Sequence, residues 1–320
     1  MGRLFAMIGF WSRYFLKCVL WGALGTVTLI ILIYIEEDWR GAYAWAATKA
    51  KWEAKGESFD YNKFIPPLVP DDQNLAAIPL FKLEPIKNDN GTSYLGLAPL
   101  QRAMRSDLPT LVFPPMGNWQ KGELPDMAKI RDVLATDFAT AFKGAKPPDD
   151  TLAQFNAIYS FLTDFLVASA THPFFRIDLD YTISPPDTRP LSPITDQIKL
   201  SRILTLHAIL ALDHHQSDLA LEDIKINNQI ISGVRRDPSL IGGLVEIGMV
   251  DINLQALSDG LAQHEWSDAE LVDLDHTLKS IDFLVDYQFA MRSERAASII
   301  NVDQIKQLAD VSSAVKTDDG

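Results

Sequence analysis

The sequence predicts an all-α protein that is anchored in a membrane by one helix near its N-terminus. Three observations support this prediction. One stretch of eighteen residues has no charged side chain, apolar residues recur at helical spacing after residue 126, and the region between is rich in proline. The chain has 320 residues, of which 47% are hydrophobic and 22% charged, so it is long enough for a sizeable core and has the composition of a folded protein.

The membrane anchor is predicted at residues 18–35, CVLWGALGTVTLIILIYI. As a helix this segment is about 27 Å long, close to the roughly 30 Å hydrocarbon core of a bilayer. Trp21 and Tyr34 lie near its ends, where amphipathic rings are enriched. Bases precede the segment and acids follow it: Arg3, Arg13 and Lys17, then Glu36, Glu37 and Asp38. The positive-inside rule therefore predicts a single-pass protein with lipid around residues 18–35, a cytoplasmic N-terminus and an exported C-terminal domain.

Two other interpretations of this segment remain. A cleaved signal peptide has an apolar region of about 7–15 residues and a small-x-small site directly after it, whereas Ala42-Tyr43-Ala44 lies beyond a charged stretch. A buried core helix is rarely so uniformly apolar and so asymmetrically flanked. The single cysteine, Cys18, lies within the segment, which excludes an intrachain disulfide.

After the anchor, the helical pattern continues to about residue 56, where Gly56 is a suitable stop. A proline-rich strap follows, with apolar residues between its prolines. The prolines are Pro66, Pro67, Pro70 and Pro79. They exclude a regular helix or a central strand and favour extended backbone. The strap is therefore expected to pack across the helical body, and a ligand for a proline-recognition domain is the alternative.

Residues 82–125 have the least regular pattern. Asn90-Gly91 predicts a turn, and one hairpin, from Tyr94 through Phe113, fits the pattern.

From residue 126 onward, amphipathic helices follow one another. One predicted helix is capped by Asp150 and carries an apolar stripe from Leu152 to Leu166. The other predicted helices are 126–143, 195–212, 217–234, 238–259 and 267–291, and a polar tail follows them. Asp237 is the predicted N-cap of the helix from 238, Gly260 is its predicted end, and Ser267 to Glu270 form a capping box. Gly242, Gly243 and Gly248 are expected to let another helix approach closely.

One helix pair has the spacing of large and small packing residues found in a tetratricopeptide unit. The residues are Leu204, Ala208, Ala220 and Ile224, and the turn DHHQS joins the two helices. Only one such unit is convincing, so the prediction is a TPR-like helical hairpin and not a TPR array.

Six short motifs accompany the anchor: FIPPLVPDDQN, GNWQKG, PFFRIDLDY, LALEDI, DPSLIGGLV and MRSERAA. Together they resemble a group of bacterial single-pass, membrane-anchored helical proteins from large-genome environmental bacteria, for which no activity is established. The resemblance covers most of the chain. It implies architecture and location, and it carries over no site residue.

The charge balance argues against a nucleic-acid partner, because the formal net charge is −13 and such binders concentrate Lys and Arg. No cofactor is predicted, since the sequence has no Gly-rich phosphate loop, G-x-S-x-G elbow or CxxC pair.

The low-ranking candidates for a metal site are Asp213, His214 and His215, which resemble the acid-His-His triplet of some phosphoesterases. That chemistry needs the triplet at a strand end beside further aspartates, and here it falls in a helix–turn–helix. From His264 to Asp268 the second histidine of a zinc-protease helix is missing. Asp273 and His276 are spaced to bind a metal weakly, but a charged outer helix face is the favoured interpretation. Asp178 and Asp180 resemble a pair for acid–base catalysis, but their spacing in an extended segment sends them to opposite faces. His172 is expected in a loop, and His207 as a satisfied core histidine.

The leading functional hypothesis is a membrane-tethered, exported helical domain that binds a protein or peptide, as an interaction or scaffold module of the cell envelope. The alternatives are a metal-dependent envelope hydrolase that uses the triplet and a purely structural envelope protein. The predicted organisation is a cytoplasmic N-terminus (1–17), transmembrane helix (18–35), juxtamembrane helix (36–56), strap and irregular region (57–125), helical domain (126–312) and polar tail (313–320).

Overall fold

A computed structural model describes residues 2–87, 92–105, 108, 116–181 and 190–318, with side chains described from Phe15 to Gln307. The chain forms two compact units, Met1–Phe59 and Asp60–Gly320. Helices dominate the described residues, which confirms the all-α prediction. The predicted Asn90-Gly91 turn lies outside the described residues.

The first unit is built on one uninterrupted helix, α1, Gly2–Glu53. At 1.5 Å per residue it is about 78 Å long, more than twice the thickness of a bilayer core. Its apolar part has a mean hydropathy of 2.3, and none of that part is buried, so α1 is long and apolar enough to span a membrane. The predicted stop is confirmed, because Gly56 has a φ of +86° and its N–H donates to Glu53 O. The ring of Phe59 then packs edge-on against Trp45, 5.6 Å away.

The second unit begins with the strap, which forms short 3-10 turns separated by extended residues. These turns are Tyr61–Phe64, Asp71–Gln73, Leu75–Ala77 and Pro79–Phe81. The strap packs against the helical body as predicted: Leu75 and Phe81 are buried, and the Phe81 ring contacts Phe165 and Phe175.

Asn74 joins the strap to the segment around Arg176. Its amide Nδ2 donates to Arg176 O, and its Oδ1 accepts from Arg176 N, both at 2.8 Å. The same Oδ1 accepts from Ala76 N and so caps the next turn of the strap. One side chain therefore satisfies backbone groups on two segments about a hundred residues apart.

The only strand pairing among the described strands is an antiparallel hairpin of β1 (Glu84–Lys87) and β2 (Ser93–Gly96). The hairpin predicted from Tyr94 to Phe113 is therefore wrong. Tyr94 lies on the second strand, and helix α2, Ala98–Ala103, follows it. Pro85 interrupts the alternation of apolar residues before the Asn-Gly pair, so the sequence pattern did not predict a strand at Glu84–Lys87.

The helical body follows from residue 126. Its helices are α3 (Met127–Ala141), α4 (Thr151–Ile158), α5 (Phe161–Ser169), α6 (Ser192–Asp213), α7 (Ser217–Arg235), α8 (Leu240–Gln263), α9 (Asp268–Lys279) and α10 (Phe283–Asp318). Helices α6, α7 and α8 pack against one another at the centre, and α10 packs against α8. α8 is also long and apolar enough for a membrane span, but it is partly buried in this packing.

Two predicted helices are each divided in two. The helix capped by Asp150 ends at Ile158, because Tyr159 leaves helical torsion angles and buries its ring against Phe155. The helix predicted at 267–291 breaks at residues 280–282. There Asp282 accepts from the N–H groups of Leu284 and Val285, and so starts α10. α10 continues to Asp318, so the predicted tail from 313 is helical over most of its length.

The ends of α8 also differ from the prediction. Ser239, and not Asp237, is the N-cap: its Oγ accepts from Gly242 N and donates to Asp237 Oδ1. At the other end the helix runs past Gly260 to Gln263. A Cβ at Gly260 would lie 2.4 Å from the ring of Trp266, so this glycine makes room for a side chain and does not end the helix. The capping box from Ser267 to Glu270 is present as predicted.

Of the three glycines expected to allow a helix to approach, only Gly243 does so. A Cβ there would lie 2.9 Å from Ala290 Cβ, which shows how closely α8 and α10 pack. Gly242 lies against Asp237, and Gly248 faces open space.

Candidate binding cleft

The structure separates the side chains of the acid-His-His triplet. Asp213 pairs with Arg131 on α3 at 3.4 Å, and His215 Nδ1 lies 2.8 Å from Glu265 Oε1. His214 Nε2 lies 2.9 Å from Asp150 Oδ1, the cap of α4. Each side chain has its own partner on a different element. Within the described ranges, no three His, Cys, Asp or Glu side chains are placed to hold a metal ion.

The other sequence candidates are also spread over separate elements. His264 ends α8 in a left-handed conformation with φ +58°, while Asp268 begins α9. Asp273 pairs with Lys225 of α7 at 2.5 Å, and this pairing lowers the pKa of the Asp273 carboxyl. Asp178 is exposed and forms the predicted local pair with Arg176 at 3.6 Å. In the loop, His172 Nδ1 lies 2.8 Å from Ala168 O.

His207 is a buried core histidine, as predicted, but only half of its polar edge is satisfied: Nδ1 pairs with Asp223 on α7, and Nε2 has no hydrogen-bond partner among the described residues. His207 Nδ1 and Asp223 Oδ2 are 2.7 Å apart, and both side chains are excluded from solvent. The imidazole stacks on the ring of Phe155 at 5.5 Å. Burial raises the pKa of the Asp223 carboxyl to about 6, although the bond to His207 acts in the opposite direction. The pair therefore lies in the core of the helical body.

Polar residues line the α6–α7–α8 interface, and they were not predicted from the sequence. Asn227 Nδ2 reaches Ser201 O, Thr205 Oγ1 and Asn253 Oδ1, each at 3.2 Å. A signal was present, because Asp223 and Asn227 fall on the apolar stripe of α7. A polar residue on a buried stripe indicates a partner on the facing helix, but the sequence does not say which one.

A second buried polar group fixes the ends of three helices. Arg235 Nε lies 2.7 Å from Glu246 Oε1 and 3.2 Å from Asp286 Oδ2, so α7 is tied to α8 and α10. Arg235 Nη1 also donates to Ser280 O at the break before α10. Burial raises the pKa of the Glu246 carboxyl, while Arg235 lowers it. Since Gly243 and Ala290 lie one turn away, this group holds α10 along α8.

A cleft opens where α10 leaves the start of α8. It has a volume of about 190 Å³ and lies between the segment before α6, the α7–α8 connection and α10. Most of its lining is apolar. The lining residues are Leu179, Pro190, Leu191, Ile194, Asp237, Pro238, Ser239, Leu240, Ile241, Glu294, Ala297 and Asn301.

The polar groups in the cleft largely serve the protein itself. Glu294 Oε2 accepts from Leu240 N at 3.0 Å, and Ser239 Oγ is used as the α8 cap. The N-terminus of α8 is therefore already capped by α10, which makes an anion site at this helix end unfavourable. What the cleft offers a ligand is mainly apolar surface.

The strap forms the far wall of this region. A smaller recess of about 30 Å³ shares Leu179, Ile194 and Asp237 with the cleft and is also lined by Pro66 and Pro67 of the strap. About one water molecule fits in such a volume. The prolines hold this wall in extended backbone, which requires no regular hydrogen-bond partner.

Exposed apolar side chains adjoin the cleft on both α8 and α10. They are Ile241, Leu244 and Ile247 on α8 and Leu284, Tyr287 and Met291 on α10, named here the α8/α10 stripe. The contact between Gly243 and Ala290 places the two sets side by side, and Ile241 belongs to both the stripe and the cleft. Monomeric soluble proteins rarely expose a contiguous apolar area larger than a few hundred Å², so the stripe is a candidate interaction surface.

Comparison of the chain with protein-family models, curated proteins and solved structures found no match.

Proposed function

We propose that this protein is a membrane-tethered interaction module whose cleft and α8/α10 stripe bind an apolar segment of another protein of the cell envelope. The observation that carries the proposal is the continuity of an apolar cleft with an exposed apolar stripe through Ile241. A cleft of about 190 Å³ is smaller than a typical small-molecule site of roughly 300–1,000 Å³. It matches one or two large apolar side chains of a peptide, which is how interface anchors bind.

The location that goes with this function is the bacterial inner membrane, with the N-terminus cytoplasmic and Asp60–Gly320 exported. The bases before residue 18 and the acids after residue 35 support this orientation through the positive-inside rule. The length and hydropathy of α1 support the tether itself. A partner in the same envelope would meet the domain at a raised effective concentration.

The α6–α7 hairpin supports the TPR-like part of the proposal. Leu204 and Ala208 on α6, and Ala220 and Ile224 on α7, are all buried. Large and small residues thus alternate across a tight helix pair, as in TPR-type units that build peptide-binding surfaces.

Photo-crosslinking tests the surface directly. A photoreactive amino acid placed at Leu244 of the full chain, expressed in its native membrane, is expected to capture one reproducible partner. The matched control carries the same amino acid at Val167, which is also apolar and exposed but lies on α5 and does not line the cleft.

A competing substitution completes the test. Leu244→Glu is expected to reduce capture from a probe at Ile241 by about tenfold, because a charge would have to be buried against the ligand. Val167→Glu is expected to leave capture unchanged. Equal capture at Leu244 and Val167, or no partner at Leu244, would refute the proposed surface.

A further inference from the structure

The extramembrane part of α1 has an apolar face that no described residue of the first unit buries. If about twenty residues span the bilayer, the helix from Glu36 to Glu53 continues into water for about five turns. Trp39 and Tyr43 are each about 70% exposed there and stack on each other, with ring centroids 6.3 Å apart. The opposite side of the helix, at Trp45, is the one that packs against Phe59.

The exposed face follows an unbroken alternation of four- and three-residue steps. Its members, named here the α1 seam, are Cys18, Gly22, Gly25, Leu29, Leu32, Glu36, Trp39, Tyr43, Ala46 and Ala50. All ten are exposed. Residues 18–35 are uncharged at every position, so the repeat is selective only beyond Ile35, where Trp39, Tyr43, Ala46 and Ala50 keep the 3.5-residue average of a helix that winds around another helix. A lone membrane anchor does not require it, and the seam continues through the membrane boundary without changing phase.

We propose that the α1 seam pairs with the α1 seam of a second copy of this chain, in a parallel dimer. A partner must be a helix that crosses the same membrane boundary and continues for the same distance on both sides of it. The α1 of a second copy has the same length and the same boundary, so it meets both requirements. In a two-fold parallel pair each seam position meets its own equivalent, so the seam needs to complement only itself.

The residues along the seam suit such a pairing. A Cβ at Gly22 or Gly25 would meet nothing within 4 Å, so a second helix can approach closely within the membrane. Outside it, Tyr43 and the alanines Ala46 and Ala50 alternate a large side chain with small ones. The contact strip is about 48 Å long, or roughly 500–600 Å² per copy at the width of one helix, which reaches the total of about 1,000 Å² expected of a specific interface.

The seam has one ionised position, Glu36. Arg40 lies one turn away on the same helix, 3.8 Å from Glu36 and 3.1 Å from Glu37, and partly neutralises the charge. A single polar residue in such a seam fixes the register at some cost in stability. Glu36→Leu is therefore expected to strengthen the dimer.

Cysteine crosslinking in native membranes tests the pairing, because Cys18 is the only cysteine and any disulfide it forms joins two chains. Oxidation of the full chain with copper phenanthroline is expected to give a product of twice the 35.7 kDa chain mass. The control is Cys18→Ala with Leu20→Cys, which moves the thiol about 200° around the helix.

The same comparison is made on the water side, in a Cys18→Ala background. Ala46→Cys lies on the seam and Ala44→Cys lies off it. The seam position is expected to crosslink at least tenfold faster, since a disulfide needs Cα atoms within about 7 Å. Equal rates at 44 and 46 would overturn the proposal, as would a crosslinked product that contains a different protein.

A charge introduced on the water side distinguishes paired helices from chance collisions. Ala46→Arg is expected to reduce crosslinking at Cys18, whereas Ala44→Arg is expected to leave it unchanged. If both substitutions leave Cys18 crosslinking unchanged, the two ends of the seam do not act together and the proposed continuous pairing is wrong.

Discussion

His207 on α6 and Asp223 on α7 form a 2.7 Å polar contact at the centre of a helical body, where neither side chain reaches solvent. A buried polar pair costs desolvation of both groups, and the cost is offset only while each retains its partner. The pair therefore specifies how α6 and α7 align, because a shift of either helix would leave two polar groups unpaired in the core.

Removal of both members of this pair should cost less than the two single removals added together. His207→Leu leaves the Asp223 carboxyl buried without its partner, and we expect a loss of about 3–5 kcal/mol in the free energy of unfolding. The double variant with Asp223→Leu should lose less than the sum of the single losses. Denaturant unfolding of the four chains in detergent, followed by circular dichroism, measures the coupling. Additive losses would show that the contact does not align the helices.

The Asp137 carboxyl should make stability depend on pH in a defined window. Burial raises its pKa from 3.8 to about 6, so the folded chain binds a proton more tightly than the unfolded chain. This contribution is present below pH 4 and is lost as the pH rises through 6. Asp137→Asn should remove about 1–2 kcal/mol of the change in unfolding free energy between pH 4 and pH 7.

Unfolding curves of Asp137→Asn and the parent chain at several pH values test this prediction. The exposed Asp72→Asn is the control, because its carboxyl is in solvent in both states. Parallel pH profiles for the parent chain and Asp137→Asn would contradict the assignment.

Two glycines on α8 should respond to alanine in opposite directions. At Gly260 a new Cβ would lie 2.4 Å from the ring of Trp266, whose Nε1 donates to Leu257 O, so Gly260→Ala should destabilise the chain by about 2 kcal/mol or more. At Gly248 the same Cβ faces open space, and Gly248→Ala should stabilise by about 0.5–1 kcal/mol through helix propensity. Thermal unfolding of both variants gives the comparison, and a loss at Gly248 as large as that at Gly260 would refute it.

Asn74 should control whether the strap stays attached. Asn74→Ala removes two 2.8 Å hydrogen bonds to Arg176 and leaves its backbone groups buried, at an expected loss of about 1–3 kcal/mol. Faster limited proteolysis of the strap should accompany the loss. Asp72→Ala, in the adjacent exposed turn, should change the free energy of unfolding by no more than about 0.5 kcal/mol. It should also leave the rate of strap proteolysis unchanged. An intact proteolysis pattern in Asn74→Ala would show that other contacts hold the strap.

Local patterns in the sequence determined the class of the fold and most of its helices. Asp150 and the capping box from Ser267 were identified correctly because caps depend on residues within one turn. The apolar run from Cys18 determined a helix long enough for a membrane, because composition alone decides that property. The spacing of prolines likewise determined that the strap has no regular helix or central strand.

Contacts between distant segments decided the rest. The sequence around Gly260 is typical of a helix end, but in the structure this glycine makes room for Trp266. The helix predicted at 267–291 ends where Arg235 reaches Ser280 O. The cleft was harder to predict, because its apolar lining comes from single residues or pairs on separate helices. α6 contributes Ile194, α8 contributes Leu240 and Ile241, and α10 contributes Ala297. Periodicity shows which face of a helix is apolar, but whether that face is buried or left open depends on which helix packs against it, and only the tertiary structure contains that information.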